Sequence, residues 1–320
     1  MAKSGSTNLN ATRDNLITEA LQLIGVLEEG GTPSSNQLSD SARTLNYMIK
    51  SWMADGLQLW LNEELVIFPV KDQSTLTFGA SGQDRMCLSS ELVTTKLNGS
   101  HASAATTLTV DSTSGMTGSD VIGVVTDDSG IHWTTISSVT NSTSLVLASG
   151  LDAAASDNDR VYTYTSAFSQ KIARINNAWV RTTDEIDIPV EVIPRKDYVY
   201  LSDKTTNGRP NQIYFDPQYL VSVANLWPVP DDDDTNDRIY AYVTRYLEDF
   251  DSATDDADFP MEWYMPLAYG LAMYVGPKYG VTGQRLNEIS TLAMDLKKKA
   301  MDFDMEDQSI FIVPNYDGRS

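Results

Sequence analysis

The sequence holds a single cysteine, Cys87, and only two histidines, His101 and His132. One thiol builds neither a disulfide framework nor a cysteine zinc site. Any Ser–His–acid relay would have to use one of those two histidines. Basic residues are also scarce: 23 Lys and Arg stand against 44 Asp and Glu, a formal charge of −21. That balance excludes a general nucleic-acid binder, because affinity for phosphates comes mostly from cationic neutralisation. It is compatible with a protein that sits beside DNA and must not adhere to it, and it steers the chain toward basic partner patches. No stretch approaches the roughly 18 continuous apolar residues of a membrane span, so no membrane partner is expected. The opening MAKSGSTNLN lacks the apolar core of a signal peptide, so the expectation is a chain made and folded in a cytoplasm. Neither a G-x-x-x-x-G-K-[ST] loop nor a G-x-G-x-x-G turn after a strand is present, so nucleotide binding has no support.

What is present is a substantial apolar fraction, 41% of 320 residues, enough for one large domain or two ordinary ones. Leu16, Ile17, Ala20, Leu21, Ile24 and Leu27 recur at helical spacing and predict a helix over 12–29, stopped by Gly30-Gly31. Ser34-Ser35-Asn36-Gln37 has the form of a capping box. A second helix follows with Leu38, Ala42, Leu45, Ile49, Trp52 and Met53 on one face, ending at Gly56. From Trp60 the period changes to two: Leu65, Ile67 and Thr75-Leu76-Thr77-Phe78 read as short strands.

Between 85 and 166 Ser, Thr, Gly and Asp dominate. Thr107–Val110, Val121–Thr126, Ile131–Val139, Ser144–Ala148 and Val161–Thr165 read as strands, with Asp127-Asp128-Ser129-Gly130 as a hairpin loop. About five short strands at this spacing predict a small inserted all-β domain, barrel or sandwich. Residues 168–250 are mixed. Ile172–Val180 is helix or strand, IPRKDYVYL a strand end and a short helix, and Arg238–Leu247 a strand after the acidic loop DDDDTND. A helix opens at Phe259-Pro260 and either restarts or kinks at Pro266. The last helix carries Leu286, Ile289, Ala293, Leu296, Ala300 and Phe303 at 3-4-3-4-3 spacing, the pattern of a helix packed lengthwise on another.

Candidate chemistry is thin. The acidic clusters are Asp231–Asp234 and Asp249, Asp251, Asp255, Asp256 and Asp258. Neither matches a calcium-loop spacing, and solvated acidic loops are the expectation. His132 reads as an ordinary strand histidine beside Trp133, and Cys87 as an incidental thiol. The reading therefore assigns no catalytic residue, no cofactor and no metal. The apolar run Ile310-Phe311-Ile312-Val313, with Tyr316 beyond it, is a candidate docking arm. Leu286, Ile289, Leu296 and Phe303 are the candidate helix-packing or oligomer face.

Four segments, taken in order, carry a resemblance: ALQLIGVLEEGGTPSSNQLSDSARTLNYMIKSWMADGLQLW, then TLTFGASG, then IPVEVIPRKDYVYLSDKTTNGRPNQIYFDP with LWPVP, then FPMEWYMPLAYGLAMYVGPKYG. Together they resemble the head-to-tail adaptor proteins of short-tailed bacteriophages, also called tail tubular protein A or portal-attached DNA-stabilisation proteins. The insert at 85–166 and Pro266 depart from the pattern. The resemblance implies a helical core; with the mixed β region and the β insert read from composition, the expected fold is α+β, a helical-bundle adaptor core with a mixed β region and an inserted small all-β domain. The implied divisions are 1–84 and 167–305 for the core, 85–166 for the insert and 306–320 for an extended C-terminal arm. It implies a non-enzymatic virion protein assembled in the bacterial cytoplasm. Such a protein forms a ring, twelvefold in this family, beneath the portal protein. The ring closes the DNA channel region, provides a platform for the tail nozzle or tube, and lets genomic DNA pass without specific binding. Two other readings stand beside it: a virion-associated cell-wall glycosidase using a carboxylate pair, and a carbohydrate-binding or adhesive module in the 85–166 insert.

Overall fold

The computed structural model describes residues 9–55, 59–79, 85–128 and 130–303. They fall into two compact units. One comprises 1–61 and 247–320, the other 62–246. The chain crosses between them twice, at 61/62 and at 246/247.

The first unit is helical. Helix α1 (Arg13–Leu23) is capped by Thr12, whose side chain accepts from the Asn15 N–H. It ends earlier than the 12–29 expected. Gly25 takes a positive φ of 75°, and its N–H bonds to Gln22 O while the Val26 N–H reaches Leu21 O. These two bonds close the helix end one glycine sooner than Gly30-Gly31. Helix α2 (Ser35–Ala54) begins with the expected capping box: the Ser34 N–H donates to Gln37 Oε1 and the Gln37 N–H to Ser34 Oγ. Gly56, the expected stop, lies outside the described residues. A 3-10 turn (Met261–Trp263) leads into α4 (Tyr264–Val275). Pro266 is the third residue of α4, within the first turn, where the missing N–H has no intrahelical partner to lose. The helix therefore restarts before Pro266 rather than kinking at it. Helix α5 (Gln284–Phe303) packs against α4. The shared core joins Leu16, Ile17, Leu45, Ile49, Leu267 and Leu271 with Ile289 and Ala300. At its centre Gly270 of α4 meets Trp52 of α2 so closely that a Cβ would lie 2.8 Å from the indole and 3.0 Å from Met48 Sδ.

The second unit holds all fourteen strands found among the described residues. β1 (Asn62–Ile67), β2 (Thr75–Phe78), β3 (Met86–Leu88), β10 (Ile172–Arg181), β11 (Asp187–Ile193), β12 (Gln212–Pro217), β13 (Ser222–Trp227) and β14 (Arg238–Arg245) make one curled sheet. Its strand order is β2-β13-β12-β11-β10-β14-β1-β3. Its single parallel pair, β11 with β12, is bridged by the short helix α3 (Arg195–Tyr200). The second sheet contains β4 (Val93–Lys96), β5 (Thr107–Thr109), β6 (Val121–Val125), β7 (Ile131–Asn141), β8 (Ser144–Leu147) and β9 (Arg160–Tyr164). Its order is β4-β9-β6-β7-β8-β5. The outer strands meet: Leu97 bridges Val110, and the Asn98 and Asp111 N–H groups bond across to Thr109 O and Lys96 O. The sheet thus curls around its own core, which includes Leu108, Ile122, Val124, Leu145 and Val161.

The expected helical-bundle core is not what the chain builds. It is mostly β, with two curled sheets and about 27% helix. The adaptor-like helical segments are real helices, but they fill only the smaller unit. The stretches between them have period-2 patterns and β-branched and aromatic residues, and those extend into strands. Ile172–Val180, open between helix and strand, is strand β10. β3 falls inside the 85–166 segment yet pairs with β1 of the larger sheet, so the smaller sheet begins at Val93.

Replacing Gly270 by alanine is expected to lower unfolding free energy by about 1–3 kcal/mol, the usual cost of overpacking against a rigid ring. It should do so although alanine favours a helix by about 1 kcal/mol. Urea unfolding of Gly270→Ala against wild type checks this.

Candidate functional site

Among the described residues, the two histidines and the cysteine that the sequence singles out sit in structural positions. His101 Nε2 accepts the Thr109 backbone N–H at 3.2 Å, which commits that nitrogen to holding β5. His132 Nδ1 lies 3.1 Å from Asp152 Oδ2, giving two members of a relay. Its Nε2 is buried and has no hydrogen-bond partner among the described residues, so no hydroxyl stands where a nucleophile would. Cys87 is fully buried, and burial pushes its thiol up to about 12, which keeps it protonated and unreactive.

The two acidic clusters differ. Asp232 and Asp233 are exposed, as expected, and Asp231 is half-buried, but Asp234 and Asp237 are buried at 5% and 2% exposure. Arg209 bonds Asp237 Oδ2 at 2.7 Å and lies 3.5 Å from Asp234 Oδ1. Asp237 Oδ1 also takes the Thr183 N–H. This buried pair ties the β10–β11 turn to the loop before β14. Asp234 is held up to about 6, first by burial and then by the neighbouring Asp231 carboxylate. In the second cluster Asp255 Oδ2 accepts the Asp251 and Ser252 N–H groups, and Asp258 Oδ2 the Glu248 N–H. Among the described residues no three His, Cys, Asp or Glu side chains converge as a metal site.

Trp133, the one tryptophan of the insert, is spent on packing. Its ring lies 4.7 Å from Phe68 and 6.0 Å from Tyr164, and the Arg85 guanidinium sits 5.3 Å over it. It also covers Gly123 across the β6–β7 ladder, where a Cβ would be 2.8 Å from the indole. Phe68 stacks near Tyr162 as well, at 5.1 Å. Glu185 accepts from Arg238 on the larger sheet and ion-pairs with Arg160 on the smaller one. These contacts join the two sheets.

What remains unengaged is apolar surface. On α5, Ile289 is buried, Leu286 and Leu296 are half-buried, and Phe303 is 76% exposed. Leu292 and Met294, which the sequence reading passed over, are 47% and 65% exposed. The heptad-like spacing was legible, but the width of the stripe was not: of α5 only Ile289, Ala293 and Ala300 are buried. The β12–β13 turn also exposes Tyr219 and Leu220. Ile310, Phe311, Ile312, Val313 and Tyr316 lie outside the described residues. No protein-family model matches the chain, and no curated protein matches it.

The raised Asp234 carboxyl makes a sign-defined prediction. A folded-state value above the ordinary one means stability that is fully present below about pH 4 and lost as pH rises through about 6. Asp234→Asn abolishes that loss. The stability difference between variant and wild type should therefore grow in the variant's favour from pH 4 to pH 7, as read by urea unfolding at both values.

Proposed function

We propose that this chain is a structural connector, a head-to-tail adaptor that forms a ring beneath the portal protein of a short-tailed phage and carries the tail below it. The observation that carries the proposal is where the four family-like segments fall. The first and last, Ala20–Trp60 and Phe259–Gly280, supply α2, α4 and much of the single helical core. The second and third supply β2, β13, β12 and β11, four neighbouring strands of the larger sheet. Segments scattered over the sequence thus gather into two contiguous patches, as parts of one shared scaffold would.

Three further features support the reading. α5 presents apolar side chains that its own unit leaves uncovered, and exposed apolar patches mark contact sites. The charge of −21 suits a ring that lets DNA slide without holding it. The histidines, the cysteine and the buried acids all have structural occupations. In this reading each arm, residues 306–320, adds one apolar anchor to the portal, and symmetry multiplies it. The site of action is the virion connector. The smaller sheet projects from the ring or braces the tail.

Deletion of residues 306–320 is expected to weaken binding to portal rings by about 100-fold or more, since avidity is lost at every subunit at once. Thermal unfolding should stay unchanged. Portal binding that survives the deletion at full strength contradicts the arm.

A further inference from the structure

Within the second unit, a cavity of about 290 Å³ opens between the stretch after β1 and the β6–β7 hairpin. Pro69, Val70, Ile131 and Trp133 give it apolar walls. Its charged lining is two cations, Lys71 and Arg85, and two acids, Asp128 and Asp232. Three of these four are engaged. Lys71 bonds Asp232 at 2.5 Å, and Asp128 Oδ1 accepts the Thr126 hydroxyl at 2.6 Å.

Arg85 is the fourth. Its guanidinium lies 5.3 Å over the Trp133 ring, and its side chain makes no ion pair or hydrogen bond among the described residues. Other arginines of this unit behave differently: Arg160, Arg181, Arg209, Arg238 and Arg245 each meet a carboxylate. Burial holds the Arg85 guanidinium below its ordinary value, and the influence that opposes burial is the Tyr164 phenol, not an acid. Stacking on Trp133 uses the flat face of the guanidinium. Its in-plane N–H donors, a fixed fork, are left without an acceptor among the described residues. A cation that gives up hydration without gaining an anion is costly, and the cavity leaves room beside this one.

We propose that this cavity binds a small monocarboxylate, with the carboxylate on the Arg85 fork and the hydrocarbon body against Pro69, Val70 and Ile131. The guanidinium fork matches a carboxylate through two parallel N–H···O bonds. Charge sets the valence of the ligand. Lys71 is committed to Asp232, so Arg85 alone answers the ligand's charge, while Asp128 and the chain's −21 oppose any second negative charge. The apolar walls favour an acid with a carbon body over a bare inorganic ion. The inference is independent of the connector reading.

The test titrates the full chain with sodium propionate, against sodium chloride at equal ionic strength, and reads the tryptophan indole N–H signals by NMR. Propionate should shift the Trp133 signal saturably and leave Trp52 and Trp263, in the helical unit, in place. Arg85→Met keeps an unbranched side chain over the ring and removes the charge. It should weaken propionate binding by about tenfold or more, the usual cost of losing hydrogen bonds to a charged group. Arg85→Lys keeps the charge but not the fork and should weaken binding as well, which decides the matter even where Arg85→Met does not fold. Four results each overturn the assignment: no saturable shift of Trp133 in the wild type, wild-type affinity in Arg85→Met, wild-type affinity in Arg85→Lys, or inorganic phosphate bound as tightly as propionate.

Discussion

The fold depends on β14 having to be buried on both sides. Its alternating residues feed two separate cores. Ile239, Ala241 and Val243 enter the interior of the larger sheet, while Tyr240 faces the layer shared with the smaller sheet. β1 beside it does the same, sending Leu65 and Ile67 one way and Val66, followed by Phe68, the other. A sheet apolar on both faces must be covered on both, or its outer face would remain a large sticky patch. The larger sheet curls over one set of residues. The smaller sheet covers the other through Tyr162, Tyr164 and Trp133. Aromatic pairs in such a layer add about 0.5–1.5 kcal/mol each beyond their area. The Glu185 bridge between Arg160 and Arg238 fixes its edge.

Much of this was legible. The capping box at Ser34, the hairpin around Asp127–Gly130 and the α3 turn after Ile193 follow from local chemistry. The early end of α1 was not: Gly25 and the Gly30-Gly31 pair can each stop a helix, and only the tertiary path chooses Gly25. The larger error was one of weight. Helical periodicity at both ends, read with the family likeness, suggested a helical bundle, yet those helices make only the smaller unit. The runs LVIF and IYAYV were read as strands, but not as strands buried on both faces. A continuous apolar run in a strand means burial on two faces, and so a partner layer such as the insert. Asp234 and Asp237 were hidden for a similar reason. In a row of acids nothing in the sequence distinguishes the two that turn inward toward Arg209.

The account of function rests on surplus rather than on a cleft. The histidines and the cysteine sit in structural positions, while α5 carries apolar side chains that the described residues leave exposed. Surplus apolar surface is costly in water unless another molecule covers it. In the proposed reading, the charge of −21 keeps DNA from adhering.

For the proposed function, the most direct measurement is native mass spectrometry of the chain, alone and mixed with the portal ring it would serve. The account predicts a complex of fixed stoichiometry on the portal, with one copy of this chain per portal subunit. Failure to bind the portal at any ionic strength would contradict it.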